Sequence, residues 1–182
     1  MVARRRELSR AEVARLSAAA CERILRLPEF AAALQVVAYT AMDNEVDPAM
    51  IAEASRGAGK AVYYPRVKAS GFLRGAEDAS TLTAAGLMAD EPLSQVAGAV
   101  LVLVPGVAFD PRGVRLGRGR GWYDRVLARY PAATRLGLAY EFQVLPALPE
   151  APWDVRMHAL VTEARLIGEP SVAARAQKEG ST

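Results

Sequence analysis

The stretch AVLVLVPGVAFDPRGVRLGRGRGWYDR, residues 99 to 125, decides the fold class of this chain. It opens on an apolar run, residues 99 to 104, which is typical of a buried strand. A loop rich in glycine and arginine follows, and a segment with helical character begins at Trp122. A strand that leads through a glycine loop into a helix indicates an α/β fold, in which such loops lie at the ligand-binding edge of the sheet.

The loop itself is suited to binding an anion. Gly117, Gly119 and Gly121 let the backbone turn sharply, which can direct several N–H groups to one point. Arg118 and Arg120 alternate with these glycines and add two guanidinium groups, which suit phosphate oxygens. The pattern is neither a Walker A motif, because no Gly-Lys-Ser/Thr closes it, nor the dinucleotide fingerprint, whose third glycine is missing at the required spacing. From the pattern alone, an arginine-rich surface turn remains the alternative.

Helical and apolar segments alternate along the rest of the chain. Ser9 begins a capping box, Ser-x-x-Glu, at the start of a helix that Pro28 ends. A second helix is predicted to begin with Asp47 as its N-cap and to close at Gly57 and Gly59. The third predicted helix covers residues 122–130, and the predicted strands cover residues 34–42, 61–64, 72–74, 99–104, 134–140 and 157–162.

This alternation predicts a single three-layer α/β domain over residues 1–168, with a mainly parallel sheet and helices on both faces. Residues 83–95 are expected to be irregular, and residues 169–182 are expected to form a flexible tail because they are polar and rich in alanine.

The composition limits the function. The 182 residues are 52% hydrophobic and 24% charged, as in an ordinary globular protein. The single cysteine, Cys21, excludes an intramolecular disulfide, and the single histidine, His158, excludes a multi-histidine metal site; we expect both side chains to be structural.

No apolar run reaches membrane-spanning length, and no signal peptide is visible. The formal charge is only +3, and the arginines cluster near the loop and the N-terminus, which favours a small anionic ligand over nucleic acid. We therefore expect a cytoplasmic monomer without nucleic-acid or membrane partners.

Residues 104–125 resemble the signature of the 5-formyltetrahydrofolate cyclo-ligases, also called 5,10-methenyltetrahydrofolate synthetases. The shared pattern is Pro-Gly-x-x-Phe-Asp followed by Gly-x-Arg-Leu-Gly-x-Gly-x-Gly-x-Tyr-Asp-Arg. The resemblance extends, in the same order along the chain, to Ser9 and to residues 39–45, 64–66, 153–154 and 161–163. It implies a Rossmann-like fold of the kind named after NagB, RpiA and the CoA-transferases.

The resemblance implies an ATP- and Mg²⁺-dependent cyclisation. In that reaction the 5-formyl oxygen of the folate is phosphorylated, N10 attacks the activated carbon, and phosphate leaves, giving 5,10-methenyltetrahydrofolate and ADP. Such phosphoryl transfer needs charge neutralisation and positioning more than an acid–base pair, which agrees with a chain that has one histidine.

The resemblance also implies roles for individual residues. The ATP phosphates would be cradled by Arg115, Leu116, Gly117, Arg118, Gly119, Arg120, Gly121, Trp122 and Tyr123. Arg118 and Arg120 would stabilise the charge on the moving phosphoryl group as catalytic residues. The folate would be contacted by Thr40, Glu45, Arg118, Gly119, Arg120, Gly121 and Trp122. Asp124 and Asp154 would be the Mg²⁺ ligands, because carboxylate oxygens suit that ion.

The N-terminal segment departs from the family pattern. A lysine that reaches ATP usually precedes the first helix, and it has no counterpart ahead of Ser9. We expect Arg4, Arg5 or Arg6 to contact ATP in its place, with Arg4 and Arg6 as the leading candidates, although a guanidinium fork differs in shape from an ammonium group.

Several alternatives stay open. Asp124 could serve only the first turn of a helix, Asp154 could be a turn residue, and Glu45 could lie in a solvated loop. The whole chain could be a non-catalytic folate- or nucleotide-binding member of the same fold. An RNA-binding protein that uses the Gly-Arg segment is a third possibility, although Trp122 and Tyr123 are the only aromatic residues next to these arginines.

Overall fold

A computed structural model describes the backbone of residues 1–66, 71–74, 99–119 and 121–170, and the side chains of residues 1–64, 99–119 and 121–170. The helices are α1 (Val2–Arg6), α2 (Arg10–Leu25), α3 (Pro28–Ala32), α4 (Ala49–Gly57) and α5 (Trp122–Leu127), with a 3₁₀ turn at Glu141–Gln143. The strands are β1 (Gln35–Val37), β2 (Ala61–Arg66), β3 (Gly71–Arg74), β4 (Val100–Pro105), β5 (Ala108–Phe109), β6 (Arg115–Leu116), β7 (Thr134–Leu138), β8 (Ala159–Val161) and β9 (Leu166–Gly168).

Seven strands form one sheet in the order β3-β2-β1-β4-β7-β8-β9. The five central strands are parallel, and β3 and β9 pair antiparallel at the two edges. Strands β5 and β6 form a separate antiparallel hairpin. The strand order reverses between β1 and β4, and ligands of such sheets bind outside the carboxyl ends of the strands at this point.

The sheet is covered on both faces, as predicted, and β4 shows how. Leu101 and Leu103 pack into one core cluster, which includes Ile24 of α2 and Ile51 of α4. The alternate residues of β4 pack into a second cluster, which includes Val126 of α5. Because side chains of a strand point alternately to the two faces, the three-layer arrangement follows directly from this division.

The start of α2 matches the predicted capping box. The backbone N–H of Ser9 donates to Oε2 of Glu12 at 2.9 Å, and the backbone N–H of Glu12 donates to Oγ of Ser9 at 3.2 Å. The predicted start of α4 was early by one residue, because Pro48 is the N-cap while Asp47 accepts a 3.0 Å hydrogen bond from the N–H of Ala49.

The prediction of a strand over residues 34–42 was wrong beyond Val37. The hydroxyl of Tyr39 donates a 2.6 Å hydrogen bond to the carbonyl of Val46, which folds the chain back on itself. Asp43 and Asn44 then take the left-handed conformation, with φ of 51° and 56°. Such residues cannot continue a strand, so the segment forms a loop at the carboxyl edge of β1.

The remaining differences between the predicted and the observed elements are of two kinds. Some elements are shorter than predicted, and others are too short to be predicted. The helix predicted over residues 122–130 ends at Leu127, the strand predicted over residues 134–140 ends at Leu138, and the strand predicted over residues 157–162 covers only Ala159–Val161. Helices α1 and α3, the β5–β6 hairpin and edge strand β9 were not predicted. Residues 83–95 and most of the predicted tail lie outside the described residues. Within the described ranges, none of the helices has the length and apolar character needed to cross a membrane.

Cys21 is expected to be unreactive while the protein is folded. Burial, together with the smaller effect of the nearby Asp47, raises the pKa of its thiol to about 12. A thiol that is almost wholly protonated at pH 8 reacts slowly, so we expect an aromatic disulfide reagent to label it at least about a thousandfold faster in denaturing urea than in buffer. Fast labelling of the folded protein would contradict this burial.

Candidate functional site

The β5–β6 hairpin that follows β4 is fixed by the buried carboxylate of Asp110. This carboxylate accepts hydrogen bonds from the backbone N–H groups of Arg112 (2.9 Å), Val114 (3.2 Å) and Leu148 (2.9 Å). The Arg112 guanidinium also donates to it, at 2.6 and 3.0 Å. Gly113 in the turn has φ of 86°, and an added Cβ would overlap a backbone carbonyl ahead of β8. The hairpin is therefore a rigid support for the glycine loop that leaves β6.

The glycine loop turns sharply, as its sequence predicts. Gly119 and Gly121 have φ of 78° and 55°, a left-handed conformation that favours glycine. At Gly117 an added Cβ would lie 2.5 Å from Nη1 of Arg115, so this guanidinium packs against the loop backbone. Arg120 lies outside the described residues.

Arg115 and Asp124 form a largely enclosed ion pair beside the loop. Nη2 of Arg115 donates to Oδ2 of Asp124 at 2.8 Å, and the two side chains are only 7% and 13% exposed. The guanidinium also lies 5.4 Å from the ring centroid of Tyr123, which itself meets Trp122 edge to face. Burial raises the pKa of Tyr123, so this hydroxyl stays protonated. The positive charge opposite the Asp124 carboxylate is thus supplied here by arginine.

The backbone that directly follows Asp154 contacts the carboxylate of Asp124. The N–H of Val155 donates to Oδ1 of Asp124 at 3.3 Å, which places the residue after Asp154 against that carboxylate. The Asp154 carboxylate caps its own loop by accepting a 2.8 Å hydrogen bond from the N–H of Ala151. Trp153, which directly precedes Asp154, is 75% exposed.

Asp124 and Asp154 offer carboxylate oxygens, which are suitable ligands for a divalent cation. Carboxylate oxygens are hard ligands that suit Mg²⁺, which commonly takes its other ligands from phosphates and water. Among the described residues, no three histidine, cysteine or acidic side chains form a complete metal-binding group. Asp124 and Asp154 are thus candidate ligands for a cation that would also be bound by phosphate or water.

A second cluster of charges faces the loop from the carboxyl end of β1. We call it the Asp43 cluster, and its members are Arg6, Asp43, Glu45 and Arg118. Oδ1 of Asp43 accepts a 2.9 Å hydrogen bond from Arg6, and its Oδ2 accepts a 2.7 Å hydrogen bond from Arg118. Nη2 of Arg118 also lies 3.4 Å from Oε1 of Glu45. The hydrogen bond from Arg118, followed by that from Arg6, holds the pKa of Asp43 below its usual range.

The bend that carries this cluster is tied to the N-terminal segment. The side-chain amide of Asn44 donates to the carbonyl oxygens of Arg5 (3.2 Å) and Leu8 (3.0 Å). Asn and Asp adopt the left-handed conformation more readily than other residues with a Cβ, and here the side-chain bonds of both residues hold it. The loop after β1 is thus fixed against α1.

The structure brings some of the predicted site residues together and separates others. Glu45 and Arg118 meet across two loops, and Arg6 joins them through Asp43. Thr40 is exposed on the same loop as Glu45. Arg4 instead lies over the ring of Phe142, 4.4 Å from its centroid, on the 3₁₀ turn after β7.

Sequence reasoning missed Asp43 and Gln143 at this edge, and it gave Arg5 a different expected role, a contact with ATP. Asp43 joins two arginines, Arg5 is buried beneath Glu45, and Gln143 donates to the carbonyl of Gly106 at 3.0 Å. The family pattern includes residues 39–45 but singles out Glu45, and three consecutive arginines look exposed in a sequence. Only the packing of distant segments identifies these contacts.

Fold and site together define a three-layer α/β protein in which an arginine-rich glycine loop meets the acidic loop after β1 near the reversal point of the sheet. A model of the 5-formyltetrahydrofolate cyclo-ligase family matches residues 1–163, and the chain belongs to this family.

Individual relatives agree with this assignment. The 5-formyltetrahydrofolate cyclo-ligase of Escherichia coli K12 is 30% identical over 175 residues, which cover 90% of this chain and 96% of the relative. The mouse protein of the same name is 26% identical over 183 residues, which cover 88% of each chain. The solved structure of 5,10-methenyltetrahydrofolate synthetase from Aquifex aeolicus has a TM-score of 0.71 and 31% identity, and the match covers 92% of this chain and 88% of that one.

Proposed function

We propose that this protein is a 5-formyltetrahydrofolate cyclo-ligase that uses ATP and Mg²⁺ to form 5,10-methenyltetrahydrofolate, ADP and phosphate. The observation that carries the proposal is the 3.4 Å approach between Arg118, on the glycine loop, and Glu45, on the loop after β1. The reaction requires the γ-phosphorus of ATP to reach the formyl oxygen of the folate. A phosphate-binding loop and a folate-binding loop must therefore meet, and these two loops do.

The nucleotide side of the proposed site is the loop and the start of α5. Backbone N–H groups of Gly117, Gly119 and Gly121 would face the phosphates, and Arg115 with Arg118 and Arg120 would neutralise their charge. Leu116, Trp122 and Tyr123 would flank the nucleotide. Arg6 reaches the same region through Asp43, which supports its expected contact with ATP. Arg4 lies on Phe142 and would have to leave that ring to contribute.

Asp124 and Asp154 would hold Mg²⁺, with Arg115 giving way to the cation at Asp124. When bound, Mg²⁺ neutralises charge on the phosphate oxygens. The close Arg115–Asp124 pair supports this assignment, because a guanidinium released from the carboxylate would be near the same phosphates.

The folate side of the proposed site is the loop after β1. The carboxylate of Glu45 would accept hydrogen bonds from N–H donors of the pterin, and Thr40 and Trp122 would flank the ring. Arg118 would stabilise the charge that develops as the phosphoryl group passes to the formyl oxygen, and Arg120 would assist it. N10 would then attack the formyl carbon, and the oxygen would leave as phosphate.

The proposed activity is tested by following the absorbance of methenyltetrahydrofolate with 5-formyltetrahydrofolate, ATP and Mg²⁺. Product should form only when all three are present. Calorimetry distinguishes an active cyclo-ligase from the non-catalytic alternative, because that alternative requires folate or nucleotide binding without release of ADP. Folded protein that binds ligands but forms no product would overturn the proposal.

Replacing Asp43 with asparagine is expected to tighten ATP binding about three- to tenfold at low salt. In the native protein Asp43 holds Arg6 and Arg118 by ionic hydrogen bonds, and a neutral amide holds them less firmly, so both charges become available to phosphates. Calorimetric titration with ATP measures the change.

The matched control is Glu53→Gln, which removes an exposed negative charge on α4 away from the loop. It should leave ATP affinity nearly unchanged, and 0.5 M salt should reduce the gain of Asp43→Asn to about twofold or less. Weaker ATP binding in Asp43→Asn would mean that Asp43 orients the arginines instead of competing for them.

The cytoplasmic location and the monomeric state stay predictions. Size-exclusion chromatography with light scattering measures the second directly, and a stable dimer would contradict it.

A further inference from the structure

The three consecutive arginines of the N-terminal segment have different surroundings. Arg6 is 62% exposed and pairs with Asp43, and Arg4 lies on Phe142. Arg5 is only 1% exposed, and it is among the largest fully buried side chains of the described residues. A guanidinium taken out of water is costly unless its hydrogen bonds and charge are matched, so its partners identify what holds it there.

Each nitrogen of the Arg5 guanidinium faces a different group. Nε donates to the carbonyl of Asp43 at 2.9 Å, and Nη1 donates to the carbonyl of Gly106 at 3.3 Å. Nη2 approaches Oε1 of Glu45 at 3.4 Å, as an ion pair in which Nη2 makes no hydrogen bond. Asp43 and Glu45 lie on the loop after β1, and Gly106 directly follows β4. Arg5 thus joins the two loops that meet where the strand order reverses.

Glu45 is held on several sides by this arrangement. Its Oε2 accepts a 3.2 Å hydrogen bond from the N–H of Met42, and its Oε1 lies between the guanidinium groups of Arg5 and Arg118. The side chain is nearly buried, so the guanidinium close beneath it compensates for lost hydration and holds the carboxylate in place. Without Arg5, the cation left beside Glu45 among the described residues would be Arg118, the residue that the proposed reaction needs at the phosphate.

We propose that Arg5 is a positioning residue of the folate site, which fixes the Glu45 carboxylate and the Asp43–Asn44 bend from below. The inference rests on the proposed function, since it assigns Glu45 to folate. It gives the N-terminal helix a role different from the expected contact with ATP. Arg5 acts through Glu45 and needs no contact with either substrate.

The test compares Arg5→Met and Arg5→Lys with a matched control, Arg10→Met, at an exposed position on α2. Dissociation constants for 5-formyltetrahydrofolate and for ATP are measured separately by calorimetry. We expect Arg5→Met to weaken folate binding by at least about tenfold and ATP binding by less than about threefold, because the lost contact is a charged one to Glu45. Arg5→Lys should lie between Arg5→Met and the wild type, since one ammonium group cannot reproduce both hydrogen bonds and the ion pair of the guanidinium. Arg10→Met should match the wild type.

A double-substitution cycle separates positioning from general support of the fold. Glu45→Gln removes the charge through which Arg5 is proposed to act, so adding Arg5→Lys to it should weaken folate binding by less than about twofold further. Arg5→Lys also keeps a charge at the buried position, so the cycle can be run even if Arg5→Met does not fold.

Three outcomes overturn the inference. These are equal losses for folate and ATP, full additivity in the cycle, or unchanged folate affinity in Arg5→Lys and Arg5→Met. Wild-type protein that binds no 5-formyltetrahydrofolate would overturn the proposed function and this inference together, whereas normal wild-type binding with unaffected Arg5 variants overturns this inference alone.

Discussion

Replacing Asp124 with asparagine is expected to lower cyclo-ligase turnover by about a hundred- to a thousandfold at ordinary Mg²⁺ concentration. The amide keeps an oxygen that can accept the hydrogen bond from the N–H of Val155 but loses the negative charge that attracts a divalent cation. It also loses the ion pair with Arg115, whose side chain is 7% exposed, so some loss of stability accompanies the loss of activity. Turnover as a function of Mg²⁺ concentration, together with thermal unfolding, separates the two effects.

The matched control for this prediction is Glu150→Gln, which also converts a carboxylate to an amide and breaks an ion pair, with Arg156. It should keep nearly full turnover. Excess Mg²⁺ should restore part of the activity of Asp124→Asn but none of the activity lost through unfolding. An Asp124→Asn protein with wild-type turnover would show that the carboxylate is not a metal ligand and serves only α5.

Replacing Asp110 with asparagine is expected to lower the free energy of unfolding by about 3 kcal/mol. The carboxylate accepts hydrogen bonds from three backbone N–H groups and the Arg112 guanidinium, so its partners among the described residues are donors. An amide offers one oxygen and one NH₂ group, and the NH₂ group would face some of these donors where an acceptor is needed. Urea denaturation at pH 7 measures the loss.

The pH dependence of this effect has a definite sign. Burial raises the pKa of Asp110, but the hydrogen bonds from Arg112, Leu148 and Val114 outweigh it, and the pKa lies below its usual range. A carboxyl whose folded-state pKa is lowered stabilises the protein above its unfolded-state pKa of about 3.9, and this contribution disappears as the pH falls through the folded-state value. The difference in stability between wild type and Asp110→Asn should therefore shrink below about pH 4. A difference that stays constant down to pH 2 would contradict the assignment, and Glu53→Gln should show no comparable effect.

The parts of the fold that the sequence predicts well are those with long, regular patterns. The apolar run that became β4 and the capping box at Ser9 each depend on neighbours in sequence. The loop after β1 could not be predicted, because the hydrogen bond from Tyr39 to Val46 and the left-handed pair Asp43–Asn44 replace an apolar pattern that otherwise favours a strand. The hairpin strands β5 and β6 have two residues each, which is too short for periodicity to appear.

The candidate site also has a part that the sequence predicts and a part that depends on the fold. The glycine loop and the family pattern single out Arg118, Glu45 and Asp124 from sequence, and their roles stay predictions. The pairing of Arg118 with Asp43 and the burial of Arg5 depend on contacts between residues far apart in the chain. A pattern of charges shows which side chains are present but not which of them share a partner.

One carbonyl group joins three distant parts of the chain. The oxygen of Gly106 accepts from Nη1 of Arg5, 101 residues earlier, and from Nε2 of Gln143, 37 residues later. Contacts of such sequence separation form slowly because long loops must close first. A nascent chain on the ribosome cannot complete this group of hydrogen bonds until Gln143 has left the exit tunnel. The carbonyl that Arg5 shares with Gln143 therefore has both of its donors only after more than two thirds of the polypeptide has been synthesised.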